Sequence, residues 1–253
     1  MTIVSHKHKL IFLKTRKTAG SSIEASLIRY CGPDDIISSA VDVENLGIAG
    51  RHRNDIIKLK ELDLHGWSYY IGSVYKHISK RASALKFPEK EKLLPRYVQH
   101  MPASDVRRAV GTSVWKNYFK VCFERNPYDR LVSFYYWRRK KIKDNCSFSE
   151  FAKVVLKGNI RQQNQMAAIN FSNRPFYLDK DDMIVDFVGR YENLKVDFSY
   201  ICGQCGIEFD GWLPMAKSST RKNRQYRSMY TPELRFLADE GFRMEKKLFG
   251  YEF

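Results

Sequence analysis

Nothing in this chain is long and apolar enough to cross a membrane as a helix. Its clearest apolar run, 10–13, is a small fraction of the roughly 20 residues a bilayer requires. The N-terminus has no basic stretch leading into an apolar segment and a cleavage site, so no secretory signal is read there and a cytoplasmic location is expected. Cysteine is sparse: five residues, at 31, 122, 146, 202 and 205, an odd count without framework spacing. Cys202-x-x-Cys205 lacks two further ligands at zinc spacing and does not open a helix as a redox pair would. Reduced thiols are therefore expected. No internal repeat and no low-complexity linker divides the sequence. Acidic residues are few, 28 Asp+Glu against 44 Lys+Arg, for a net charge of +16. Such a surface attracts polyanions, whether nucleic acid, acidic glycan or anionic membrane. Hydrophobic residues at 43% exclude a disordered chain, and 253 residues suffice for one substantial core.

What is present is concentrated in two segments. Residues 10–24, LIFLKTRKTAGSSIE, run from an apolar strand into a basic turn and then into a helical pattern beginning at Ile23. A strand that ends in small and hydroxyl residues and restarts as a helix aims successive backbone N–H groups at one point, a ready site for phosphate or sulfate. Lys17 adds a mobile positive charge. No glycine precedes that lysine, which excludes the G-x-x-x-x-G-K-[ST] loop of nucleotide kinases. The spacing Ser21-x-x-Glu24 also fits a capping box, which would make the segment a capped helix without a ligand.

Residues 118–137, YFKVCFERNPYDRLVSFYYW, repeat the strand-to-helix pattern. Phe119, Val121 and Phe123 alternate as in a strand. Asn126 offers an N-cap, Pro127 suits the first helical position and Asp129 places a negative charge in the first turn. Arg125 at the strand end and Ser133 two turns into the helix can converge on one anion. Alternatively, Arg125 pairs with Asp129 or Glu124.

Together, KTAGSS and FERNPYDRLVS resemble the two signature motifs of PAPS-dependent sulfotransferases, in the branch that includes heparan sulfate 2-O- and chondroitin/dermatan sulfotransferases and soluble bacterial relatives. HMPASDVRRAV at 100–110, DFVGRYENL at 186–194, the basic stretch 218–230 and LFGYEF at 248–253 are similar to further family segments, so the resemblance spans nearly the whole chain. Two positions depart from it. Arg16 stands where the family has Pro, and Glu124 where it has an apolar residue; strand alternation turns Glu124 away from Arg125.

The resemblance implies an α/β fold: a P-loop-like three-layer sandwich with a mostly parallel central sheet flanked by helices, in one domain over 1–253. It implies PAPS as sulfate donor, with no metal, and a hydroxylated acceptor, a glycan or a small molecule. Lys17 would stabilise the departing phosphate. The amides of Thr18, Ala19, Gly20, Ser21 and Ser22, with the serine hydroxyls, would hold the 5′-phosphate. Arg125 and Ser133 would hold the 3′-phosphate, and Ser219, Thr220, Arg221 and Lys222 would close over the donor. His100 is the candidate general base, with Glu61 or Glu91 as alternatives. The segment 41–100 is assigned to the acceptor side, with the polar cluster 162–165 a further acceptor contact or an exposed helix face. The competing functions are a nucleotide kinase-like enzyme and a basic nucleic-acid-binding module.

Strands are expected at 9–14, 118–123 and 184–189, and more weakly at 35–40 and 68–72. Helices are expected over 21–31, 89–97, 103–111, 127–142, 147–157, 161–170, 193–204 and 231–248.

Overall fold

A computed structural model describes residues 2–38, 56–58, 93–95, 97, 100–142, 146–157, 171–214 and 225–253. The expected elements at 68–72 and 161–170, the candidates Ser219, Thr220, Arg221 and Lys222, the polar cluster 162–165, Glu61, Glu91 and most of 41–100 lie outside the described residues.

The sheet begins with a hairpin of β1 (Thr2–Ser5) and β2 (Leu10–Leu13). Its turn is tied by Asp35, which accepts from the Ser5 hydroxyl at 2.6 Å and from the His6 amide at 2.7 Å. The strand order is β3 (Ile36–Ile37), β1, β2, β6 (Phe119–Glu124), β9 (Phe187–Arg190). β2, β6 and β9 pair in parallel, while β1 runs against both β2 and β3. All strands of this sheet but β1 therefore point one way. β4 (Ile56–Lys58) and β5 (Leu93–Pro95) form a separate antiparallel pair, as do β7 (Leu178–Asp179) and β8 (Asp182–Met183).

Alternation along the strands builds a core on each face. Ile3, Leu10, Phe12, Val121 and Phe123 pack against α1 (Gly20–Ile28) and Phe198 and Ile201 of α5 (Leu194–Gln204). Val4, Ile11, Leu13 and Cys122 pack against Val106, Ala109 and Trp115 of α2 (Ala103–Asn117). Strands covered on both sides read as continuous apolar runs, which is why LIFL carries no polar alternation. A third cluster joins α3 (Pro127–Ile142), α4 (Phe148–Lys157) and α6 (Pro232–Gly241) through Leu131, Phe134, Phe151, Leu234 and Phe242. The fold is the expected α/β sandwich with helices on both faces.

Three boundaries differ from expectation. The helix over 89–97 is not formed at 93–95, where β5 pairs with β4; Pro95 would cost an internal helix its hydrogen bond but is tolerated at a strand end. The helix expected to end at Gly111 kinks there, at φ +80°, and a second helical stretch runs on to Asn117. The helix over 231–248 divides at the buried Phe242 into α6 and α7 (Arg243–Phe249).

Candidate active site

Both motifs leave the same end of the parallel strands. The first turn follows β2, and the second joins β6 to α3, the strand paired directly with β2. Ligands on such sheets bind beyond the carboxyl ends of the strands, so topology alone brings the two turns together.

The first turn is held in an uncommon backbone. Lys17 and Ala19 both take φ +62°, and His100 takes φ +56°. Among the described residues five non-glycine positions have positive φ, and these three meet here. Such conformations cost energy and persist where surrounding contacts impose them. Ala19 is the N-cap of α1, with no side-chain cap. The capping box expected from Ser21 and Glu24 is not formed. Glu24 instead binds the Lys14 ammonium at 2.7 Å, both side chains being buried. That ammonium also donates to the Ser21 hydroxyl at 3.3 Å. Gly20 is required by this packing, since a Cβ there would lie 2.6 Å from Lys14 Cγ.

The amides of Ser22 and Ile23 donate to Ala19 O, at 2.8 and 3.2 Å. The Ser22 amide is therefore committed within the turn. No hydrogen bond within the described residues takes up the amides of Thr18, Ala19 or Gly20. These amides, in a turn of positive φ at a helix N-terminus, suit an anion. The Thr18 hydroxyl shares a 2.6 Å hydrogen bond with Thr15, whose own hydroxyl reaches Phe123 O of β6.

In the second turn Asn126 caps α3 as expected, its Oδ1 accepting from the Tyr128 amide at 3.1 Å. Arg125 pairs with Asp129: Nε donates to Oδ2 at 2.9 Å, and Nη2 donates to the same oxygen. Its Nη1 donates to Lys17 O at 3.3 Å, and its guanidinium carbon lies 4.0 Å from the Tyr191 ring centroid. A guanidinium has five N–H donors, so this arrangement leaves donors for a further anion. The Lys17 ammonium lies 5.6 Å from the Trp137 ring centroid. Asp129, Ser133 and Trp137 follow at helical i, i+4 spacing and so share one face of α3. The half-buried Ser133 thus sits between a residue bound to Arg125 and one beneath Lys17. The structure brings Lys17 and Arg125 together, and helical spacing puts Ser133 on the face of α3 that carries Asp129 and Trp137.

Glu124 is fully buried and turned away from the Arg125 guanidinium. It meets Arg130 Nε at 3.2 Å, accepts the Arg125 amide at 2.9 Å and accepts from Asn173 Nδ2 at 3.1 Å. Burial raises its carboxyl above the ordinary range, and Arg130 is the chief counterweight.

His100 also joins the site. Its Nδ1 lies 3.0 Å from Lys14 O, and its ring packs edge-on against Phe176. A carbonyl only accepts, so Nδ1 carries the hydrogen and the neutral ring keeps its lone pair on Nε2. Burial first, with nearby positive charges that include Arg16 and Lys14, pushes this imidazole well below its ordinary value.

Sequence reasoning assigned no role to Trp137, Tyr191, Asn173 or the Lys14–Glu24 pair. Trp137 was recoverable, four residues beyond Ser133 on an expected helix. Asn173 lies where no periodic pattern exists. No group of three or more His, Cys, Asp or Glu able to hold a metal occurs among the described residues. Nor does any described helix have the length and apolarity to cross a membrane.

Comparison with known proteins gives three findings. A family model described as "Sulfotransferase family" matches residues 1–252. A protein of Archaeoglobus fulgidus described as "Uncharacterized protein" is 37% identical over 109 residues, covering 42% of this chain and 83% of its own length. The crystal structure of a sulfotransferase from Alicyclobacillus acidocaldarius aligns over 97% of this chain and 96% of that one, at 15% identity and a TM-score of 0.46.

Proposed function

The chain belongs to the sulfotransferase family, and from that premise we propose that it moves the sulfuryl group of PAPS to an acceptor hydroxyl by in-line displacement, with a carbohydrate as the acceptor. The observation that carries this reading is the contact between the two turns, Arg125 Nη1 on Lys17 O at 3.3 Å. It supports a site in which the Lys17 and Arg125 side chains and the amides of Thr18, Ala19 and Gly20 share a single multiply charged ligand.

Bound PAPS supplies a sulfuryl group on a 5′-phosphate and a second phosphate at the 3′ position. The amides of Thr18, Ala19 and Gly20, with the hydroxyls of Ser21 and Ser22, hold the 5′-phosphate. Arg125 and Ser133 hold the 3′-phosphate, the planar guanidinium matching its oxygens. Lys17 leaves the Trp137 face and neutralises charge as it builds on the departing oxygen, an interaction strongest in the transition state. His100, neutral with its lone pair on Nε2, takes the proton from the acceptor hydroxyl. Ser219, Thr220, Arg221 and Lys222 close over the donor, and 41–100 contributes to the acceptor side of one domain spanning 1–253. The net charge of +16 supports an anionic glycan as acceptor.

The test is transfer of labelled sulfate from PAPS to a panel of glycans, phenols and aliphatic alcohols. Magnesium-independent transfer to a glycan is expected. Transfer confined to small molecules would move the acceptor class, and turnover of Mg-ATP without sulfate transfer would refute the reading.

A further inference from the structure

We infer that Asn173 is a positioning residue that sets the spacing between the two anion-binding turns, an inference that rests on the donor assignment above. Asn173 precedes a single 3-10 turn, Arg174–Phe176, and is fully buried. Its Oδ1 accepts the Arg16 amide at 2.8 Å, and its Nδ2 donates to Arg16 O at 3.2 Å. The carboxamide thus holds both polar groups of the Arg16 backbone, as a neighbouring strand would. Nδ2 donates as well to Glu124 Oε1 at 3.1 Å, and that oxygen accepts the Arg125 amide at 2.9 Å. An unbroken path of hydrogen bonds therefore runs from the residue before Lys17, through Asn173 and Glu124, to the backbone of Arg125. The path includes no atom assigned to the ligand, and it fixes backbone rather than side chains.

Only a carboxamide meets these demands. It carries a donor pair and an acceptor without charge, whereas Asp would set a second carboxylate against Glu124 and lose the donors. An apolar residue would lose both hydrogen bonds to the Arg16 backbone and the one to Glu124. The chemical reason for such a clamp lies in the ligand. A molecule with two phosphates at a set separation gains from both turns at once only when the turns already stand at that separation. A residue that merely stabilised the fold would affect one-phosphate and two-phosphate ligands alike.

The experiment is calorimetric titration of the full chain with adenosine 3′,5′-bisphosphate, adenosine 5′-monophosphate and adenosine 3′-monophosphate, for the parent and for Asn173→Ala. The expected result is a loss of about tenfold or more for the bisphosphate and less than about twofold for either monophosphate. Asn173→Ser, which keeps one donor and one acceptor, serves if the alanine variant does not fold, and the same selective loss at smaller size is expected of it. Equal losses for all three ligands, or an unchanged bisphosphate affinity, would overturn the inference while leaving the donor assignment standing. A parent protein that binds no bisphosphate would sink the donor assignment and this inference with it.

Discussion

Arg130→Met removes the cation at the centre of the buried network beneath the second turn. Arg130 has no exposed surface: its Nε lies 3.2 Å from Glu124, its Nη1 donates to Phe171 O at 2.7 Å, and its Nη2 lies 3.9 Å from Glu245. Without it the fully buried Glu124 carboxylate keeps, among the described residues, two neutral donors, the Arg125 amide and Asn173 Nδ2. Among the described residues its Oε2 has no hydrogen-bond partner even with Arg130 in place. Glu245 keeps Arg174 at 2.8 Å, so the deficit falls on Glu124. Removing one partner of a buried pair costs about 3–5 kcal/mol. At about 2–4 °C per kcal/mol for a chain of this size, the midpoint should fall by about 6–20 °C. The deficit should also depend on pH. Burial already raises the Glu124 carboxyl, and losing Arg130 raises it further. A carboxyl with a raised folded value withdraws stability as pH rises through that value, so the deficit is greatest at neutral pH and narrows towards the carboxylate range. Adding Glu124→Gln should recover most of the loss. Urea unfolding of parent, single and double variants at neutral and mildly acidic pH measures all of this. A loss under about 1 kcal/mol, or a deficit indifferent both to pH and to the added Glu124→Gln change, would refute the reasoning.

Lys17→Ala should cut turnover far more than donor affinity, because its contact strengthens as charge develops; equal effects on kcat and KM in steady-state kinetics would remove it from the leaving-group role. Arg125→Ala should weaken adenosine 3′,5′-bisphosphate by about 2 kcal/mol, roughly thirtyfold, and unchanged calorimetric affinity would take the second motif out of the site. With the His100 imidazole pushed down, the acid limb of the pH–rate profile should lie well below the ordinary value of about 6.5, and a limb at or above it would argue for another base. The same shift disfavours the protonated ring in the folded state, so His100 should withdraw stability as pH falls below about 6.5, a dependence that His100→Phe should abolish in thermal melts.

The elements that carry the motifs were legible because each is signalled locally. LIFL followed by a small-residue turn gave β2 and α1, and FKVCFE before Asn126-Pro127 gave β6 and the start of α3. What could not be read depends on contacts between distant segments. Ser21 and Glu24 stand at capping-box spacing, yet Lys14 from the end of β2 takes the glutamate first. Glu124 reads as an anomaly in an apolar strand until Arg130 and Asn173, six and 49 positions along, are folded against it. The positive φ of Lys17, Ala19 and His100 leaves no trace in residue type, since none is glycine. His100 was readable as a residue of interest, but the tautomer that leaves the lone pair on Nε2 follows only from its contact with Lys14 O.

The most direct test is a crystal structure grown with adenosine 3′,5′-bisphosphate. One molecule should bridge the turns, its 5′-phosphate on the Thr18–Gly20 amides and its 3′-phosphate on Arg125 and Ser133. A ligand seated elsewhere, or Arg125 still committed to Asp129 with no phosphate against it, would contradict the account.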